Sequence, residues 1–463
     1  MRIGLFTDSY HPASNGIVVV IDSLRQELEA AGHEVFIFAP DGSVNPRATK
    51  IHEKFSRKIG DKVREKVPKK IREKISSSDQ IAAKIQQDDS HIIRLPAIQY
   101  DMQLAMFFPP KLMKQIREHK LDVIQFFTPG QIGLMAAYAA RKTGAVLIGQ
   151  HSTDAYEFSK DYPSIILGCF FGGFLAPIVR KMSIRKQMNF AKVYLSPRKF
   201  ESDEKWGQRL VAGFTSVLYA GCDGVVAVSK KSADQLSKFA ARMDEKLNLS
   251  VIPTGVDVLK KPSDFNKKLV EFREKFNISD QDEIILNFGR MAEEKNLKIL
   301  IPSLEQLLKT HPDAKLMFAG DYIFREKLEE IAKKSPVSDR IIFTGRYNRE
   351  DLPVICSVAK IFAFPSLTDT QALVLNEAAG QNLPIVMIDQ SGVNDVFKDK
   401  ENGFFAKNNP RDFAKKCAKI LENEDLRNAF AINSEKKAHE FSEKIQTEKL
   451  ISFYRDLLKL PLK

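Results

Sequence analysis

Two carboxylates, Asp369 and Glu377, stand eight positions apart in the stretch FPSLTDTQALVLNEAAGQNLPIVMID, Phe364 to Asp389. Pro365 ends a β-rich apolar run, Ser366–Gln371 are polar or small apart from Leu367, and Ala372–Gly380 is strongly helix-forming. Pro384–Asp389 reads as a second buried strand. The order predicts strand, tight loop, helix and strand. At the carboxyl edge of a parallel sheet such a loop aims its helix N-terminus at the crevice, where free N–H groups and the helix dipole favour phosphate. Carboxylates repel phosphate but accept hydrogen bonds from sugar hydroxyls. Together these residue types suggest a sugar nucleotide. The competing reading is an ordinary strand–loop–helix unit with a solvated Asp and Glu.

A second constellation is GRMAEEKN, which follows the apolar strand Ile284–Phe288. Gly289 frees the backbone, while Arg290 and Lys295 supply a planar fork and a mobile point charge. Two cations of different reach suit a diphosphate. Two surface cations at a helix start are the plain alternative. His151 closes a predicted strand, Ala145–His151, and precedes the loop STDAYEF. A histidine at a strand's carboxyl end is placed for a site, although a lone histidine also serves as a structural residue.

The elements that position these residues follow an alternating pattern. Arg2–Thr7 and Glu34–Ala39 read as buried strands around the amphipathic helix Ile17–Ala31, which stops at Gly32. His91–Leu95, Val123–Phe127 and Gly224–Val228 continue a sheet, with a helix over Gly130–Thr143. The alternation resumes at Ile284 with Lys315–Ala319 and Arg340–Gly345, and helices are expected over Arg411–Glu422 and Ile445–Leu458. Leu259–Gln281 is polar and reads as a linker. A chain of 463 residues is too long for one core, so two α/β domains are expected. The four cysteines are scattered without paired spacing, which argues against a metal site or disulfide framework and for a reducing compartment. Met1–Ser9 already reads as a strand, not a signal peptide. The net charge of +12 is not interleaved with stacking aromatics, which argues against nucleic acid as a partner.

Two segments stand apart. Val44–Lys74 holds twelve Lys and Arg against four Asp and Glu, with Ile51, Phe55, Ile59, Val63, Val67, Ile71 and Ile75 at every fourth position. A basic face beside an apolar stripe suits an anionic membrane surface, with Lys54, Arg57, Lys58 and Lys62 as contacts. A solvated insertion that packs its stripe on the domain would look the same. Ser164–Val179, SIILGCFFGGFLAPIV, has no charge and meets RKMSIRK. Gly172, Gly173 and Pro177 argue against a plain helix there, so a re-entrant or interfacial insertion carrying Phe170 and Phe171 is expected; a buried helical hairpin is the alternative.

The Asp369–Glu377 loop resembles the signature of glycosyltransferase family 4, retaining enzymes of the GT-B fold, with Asp369 where Glu is usual. Gly289-Arg290 with Lys295-Asn296, the pair His151-Ser152, Ser229-Lys230 and the crossing VIPTGVD match further family motifs. The resemblance implies an α/β GT-B protein of two Rossmann-like, doubly wound domains facing across a cleft. Residues 1–257 would bind acceptor, with insertions near 44–90 and 163–206; residues 258–442 would bind donor; residues 443–463 would form a helix returning to the first domain. Arg290, Lys295 and N–H groups near Thr370, Gln371 and Ala372 would stabilise the departing phosphate. Glu377 would hold the ribose, Asp369 and His151 the hexose, and Arg346 would lie at the base. Gly16 and Gly255 would let backbone approach the donor. Transfer would be metal-independent, with a nucleotide sugar, UDP-linked, as substrate and no cofactor.

The loop Thr368–Gln371 and the basic, apolar segments look most like bacterial diacylglycerol glucosyltransferases. A lipid acceptor and a peripheral or monotopic location on the cytoplasmic membrane face are therefore expected. A soluble phosphosugar or polysaccharide acceptor, a sugar-nucleotide epimerase and a non-catalytic binding protein are the alternatives.

Overall fold

β-Branched and aromatic runs bounded by glycine and proline build two parallel sheets in the computed structural model, which describes residues 1–11, 16–40, 89–95, 97–99, 103–105, 110–159, 163–196, 204–389 and 392–459. Val44–Lys74, with Lys54, Arg57, Lys58 and Lys62, lies outside them. The chain forms two units, one of Met1–Val228, Ser232–Ile252 and Thr447–Lys463, the other of Ser229–Lys231 and Pro253–Gln446.

The first unit contains β1 (Arg2–Phe6), α1 (Gly16–Ala30), β2 (Glu34–Pro40), β3 (Ile92–Leu95), the short strands β4 (Ala97–Gln99) and β5 (Gln103–Ala105), α2 (Pro110–Glu118), β6 (Val123–Phe126), α3 (Gln131–Thr143) and β7 (Val146–His151). Then come α4 (Ala155–Phe158), α5 (Pro163–Val179), α6 (Ile184–Tyr194), α7 (Trp206–Tyr219), β8 (Gly224–Ala227), α8 (Lys230–Arg242), whose first two residues belong to the second unit, and β9 (Leu249–Val251). Its main sheet has the order β3-β2-β1-β6-β7-β8-β9, with every pairing parallel. Strands buried on both sides read as continuous apolar runs, as in Val35–Ala39, all of them buried.

The second unit contains α9 (Phe265–Phe276), β10 (Glu283–Phe288), α10 (Leu300–Leu307), β11 (Ala314–Ala319), α11 (Arg325–Lys333), β12 (Ile341–Gly345), α12 (Leu352–Ser357) and β13 (Ala359–Phe364). It continues with α13 (Leu373–Gly380), β14 (Ile385–Ile388), β15 (Gly403–Ala406), α14 (Pro410–Leu421) and α15 (Glu424–Glu440). Its six-stranded sheet runs β12-β11-β10-β13-β14-β15, again parallel throughout. Strand order reverses between β1 and β6 in one sheet and between β10 and β13 in the other. Ligands of open α/β sheets bind outside the carboxyl ends of strands at such switch points. The last helix, α16 (Glu443–Leu458), carries Ile451, Tyr454 and Leu457 into the core of the first unit, where the Tyr454 hydroxyl donates to Gln125 Oε1.

Two expectations need correction. The Leu259–Gln281 stretch is not simply a linker: it holds α9, whose Leu269, Phe272 and Phe276 pack on the second unit's core. The polar residues that disguise it occupy the other helix faces. The segment 163–179 is a continuous helix despite its two glycines and Pro177. Gly172 and Gly173 do not break it, because they make room for rings from neighbouring helices. A Cβ at Gly172 would stand 2.6 Å from the Phe214 ring, and one at Gly173 2.3 Å from that of Tyr194. Pro177 sits in the last turn. With α6 the helix forms a hairpin half-buried on α7, so close packing offsets the backbone cost of glycine.

Candidate functional site

The second unit gathers most of the chemistry at its switch point. Gly289, just past β10, has φ +125°, and Gly320, just past β11, has φ +144°. A Cβ on Gly320 would stand 1.9 Å from the Gly289 carbonyl oxygen, so only glycine allows these two loops to meet. Arg290 leaves this turn half-exposed. Its Nη2 donates to Glu294 Oε1 at 3.0 Å, and its guanidinium lies 4.9 Å from the centre of the Tyr322 ring.

Lys295 Nζ is 2.5 Å from Asp369 Oδ1, which joins the two sequence constellations. The other carboxylate oxygen, Oδ2, is buried and has no partner. A buried acceptor left unmade costs free energy, so this oxygen is fitted to receive a donor from outside the protein. Lys231 Nζ donates to the Asp369 carbonyl at 3.1 Å, and Ser229 Oγ to the Thr370 carbonyl at 2.6 Å. Ala372 takes the left-handed conformation, φ 57° and ψ 62°, at the start of α13. The first N–H groups of that helix have no intrahelical acceptor.

Glu377, one turn further along α13, accepts from Arg349 Nε at 3.0 Å. Burial, opposed by the Arg349 charge, raises the Glu377 pKa above the usual carboxylate range. Gln371 spends its side chain on Thr254, accepting from its N–H at 3.0 Å and donating to its carbonyl at 2.8 Å. Gly255 next to it is packed so tightly that a Cβ would stand 2.4 Å from Glu443 Cα. Arg346 is exposed just past β12, beyond Gly345 with φ +79°.

In the first unit His151 ends β7 and is buried. Its Nδ1 lies 3.3 Å from the Tyr219 hydroxyl, and its Nε2 is buried without a partner. Burial, opposed by the charge of Asp154, pushes the imidazole below its ordinary pKa, so the ring is neutral at pH 7. Gln235 Nε2 fixes Asp154 at 3.1 Å. Asp8, at the β1–β6 switch point, accepts from the Thr128 hydroxyl, and burial lifts its pKa to about 6. Gly16 opens α1 with open space around it. Phe170 is partly buried, and Phe171 is 60% exposed.

Arg349, Asn394, Tyr322 and Asp8 escaped the sequence reading. Arg349 could have been sought, because a buried Glu377 demands a cation. No spacing signal pointed to Asn394 or Tyr322, whose roles depend on loops that meet only in the folded unit.

Two parallel-sheet Rossmann-like units are the architecture of the GT-B fold, and the solved structures that resemble the chain include GT-B glycosyltransferases. Anabaena HepE, solved in complex with UDP, matches with a TM-score of 0.63 at 14% identity, over 98% of this chain and 100% of that one. Sucrose-phosphate synthase from Thermosynechococcus elongatus matches with a TM-score of 0.63 at 15% identity, over 98% of each chain. The chain belongs to glycosyltransferase family 4: residues 14–259 match the model described as Glycosyltransferase Family 4, and residues 270–437 that of Glycosyl transferases group 1. It is a glycosyltransferase. It is similar to the alpha-monoglucosyldiacylglycerol synthase of Streptococcus pneumoniae, 26% identical over 87% of this chain and 74% of that protein. The alpha-monoglucosyldiacylglycerol synthase of Acholeplasma laidlawii is 21% identical over 99% of this chain and 98% of its own. These relatives support glycosyl transfer to a lipid acceptor.

Proposed function

We propose that the protein moves a hexose, glucose, from a UDP-linked sugar nucleotide to diacylglycerol at the cytoplasmic membrane face, with retention of configuration. The observation that carries the donor half is the Lys295–Asp369 pair, whose buried second oxygen has no protein partner. Lys295 and Arg290 stabilise the charge that develops on the leaving diphosphate, together with the α13 N–H groups and without a metal. Asp369 Oδ2 accepts from a hexose hydroxyl, and Glu377 receives the ribose. The acceptor hydroxyl attacks from the leaving-group face, and its proton passes to the donor phosphate. Positioning and charge stabilisation supply the acceleration, with no side-chain base.

The lipid half rests on the relatives' names and on one face of the first unit. Leu167, Phe171, Phe174 and Ile178 point outward along α5 at helical spacing, and Ile184 and Met188 extend the face along α6. Exposed Lys181, Arg185, Lys186 and Lys192 rim it. Apolar side chains beside cations fit the headgroup layer of an anionic bilayer. Among the described residues no helix is long and apolar enough to cross a membrane.

Mass spectrometry of lipids after incubation with a panel of sugar nucleotides tests the assignment. A glucosylated diacylglycerol formed from UDP-glucose is expected. Product only on added phosphosugar or polysaccharide would replace the acceptor, and a changed donor sugar without acceptor would indicate an epimerase. Flotation tests the membrane face separately. Binding to anionic vesicles should fall with salt, because screening shortens charge reach to about 8 Å at physiological ionic strength. A salt-resistant remainder should persist and disappear in Phe171→Ser/Ile178→Ser. Recovery only in the soluble fraction at every salt and lipid composition would remove the membrane from the assignment.

A further inference from the structure

Among the described residues Ala372 is one of the few non-glycine residues with a positive φ, and it stands where the loop after β13 enters α13. An L-residue adopts the left-handed conformation at a steric cost, so something must hold it there. That holder is Asn394, in the loop between β14 and β15. Its Nδ2 lies 2.8 Å from the Gln371 carbonyl, 3.2 Å from the Ala372 carbonyl and 2.6 Å from Asn376 Oδ1. Its Oδ1 accepts from the Val396 N–H at 2.9 Å, which fixes the amide plane. The loop is itself braced, because fully buried Asn402 donates to the Val396 carbonyl at 2.9 Å and accepts from the Lys398 N–H at 2.8 Å.

We infer that Asn394 is a positioning residue for glycosyl transfer: it holds Ala372 left-handed and so aims the first turn of α13 at the donor's diphosphate. The carbonyls on both sides of the strained residue point to one amide, so rotation of the Gln371–Ala372 or Ala372–Leu373 peptide would break a contact to Asn394. Asn376 supplies a third acceptor from within the helix, so entry loop and helix are held by the same group. The held turn also supports the neighbouring loop, since Val374 Cγ1 lies 3.4 Å from where a Cβ on Gly289 would stand. The inference rests on the assignment of this helix end to the diphosphate.

The test compares wild type, Asn394→Ala, Ala372→Gly and the double variant by calorimetry with UDP, by kcat and KM for transfer, and by hydrogen exchange without nucleotide. Asn394→Ala should raise the UDP Kd and lower kcat about tenfold each, with KM for the acceptor unchanged. Glycine adopts φ > 0 without the steric cost, so Ala372→Gly removes the strain that Asn394 would otherwise have to hold and is the reference for the double variant. In the double variant it should restore at least half of the loss on a logarithmic scale. A merely structural Asn394 would not be rescued by a change at another residue's φ. Faster exchange of the Val374–Asn376 amides in Asn394→Ala should report the released turn whether or not nucleotide binds. Wild-type kinetics and exchange in Asn394→Ala, or a double variant as impaired as the single one, would overturn the inference. A wild-type protein that fails to bind UDP, with exchange responding as expected, would overturn the diphosphate assignment instead.

Discussion

Replacing Arg290 or Lys295 by Ala is expected to lower kcat/KM about a hundredfold, which is about 2.7 kcal/mol of transition-state charge stabilisation. The two losses should differ in their side effects. Lys295 faces Asp369 at 2.5 Å, and both side chains are largely buried. Lys295→Ala therefore leaves a carboxylate without its cation, and thermal stability should fall along with activity. Arg290 is half-exposed between Glu294 and Tyr322, so Arg290→Ala should cost activity with little change in melting temperature. Lys295→Arg should not restore turnover, because a planar fork does not reproduce the compact ammonium contact. Steady-state kinetics with a melting curve on each variant reads all of this. Near-normal turnover in both alanine variants would sink the diphosphate clamp.

Both constellations were legible because each is local. Gly289, Arg290 and Lys295 fall within seven residues, and Asp369 and Glu377 within nine, so strand and helix periodicity placed the first group just past a strand and the second across the next loop and helix. Strand alternation likewise exposed the parallel-sheet architecture, since buried parallel strands announce themselves as apolar runs. What stayed hidden is contact between loops distant in sequence. The Lys295–Asp369 pair spans 74 positions, and Arg349 and Glu377 are 28 apart. Glycine and proline misled in 163–179 because propensity says nothing about a ring packed against a helix. The Gly172 and Gly173 contacts with Phe214 and Tyr194 override it. In Leu259–Gln281 the charged residues outnumber the apolar ones that pack, so composition concealed an amphipathic helix.

Asp369 and Glu377 should separate catalysis from nucleotide binding. Glu377→Ala removes a buried acceptor and strands Arg349, so the UDP Kd should rise about tenfold, the scale of one hydrogen bond to a charged group. Arg349→Ala should weaken binding through the same pair by leaving Glu377 buried without its cation. Burial raises the Glu377 pKa, so on acidification from neutral pH this side chain protonates before exposed carboxylates do. UDP affinity should decline on that acid side and hold toward alkaline pH. Asp369 differs because its partner within the protein is Lys295, and the hexose is absent from free UDP. Asp369→Ala should therefore leave the UDP Kd unchanged or tighten it, since the freed Lys295 no longer shares its charge with a carboxylate. Transfer should nevertheless slow about a hundredfold, the size seen when one pre-organised group at the reacting sugar is lost. Asp369→Asn keeps the size and an acceptor oxygen but not the charge, so it should fall between alanine and wild type. Calorimetry with UDP beside single-turnover transfer resolves the two residues. Wild-type UDP binding in both alanine variants would refute the sugar-nucleotide assignment of this loop.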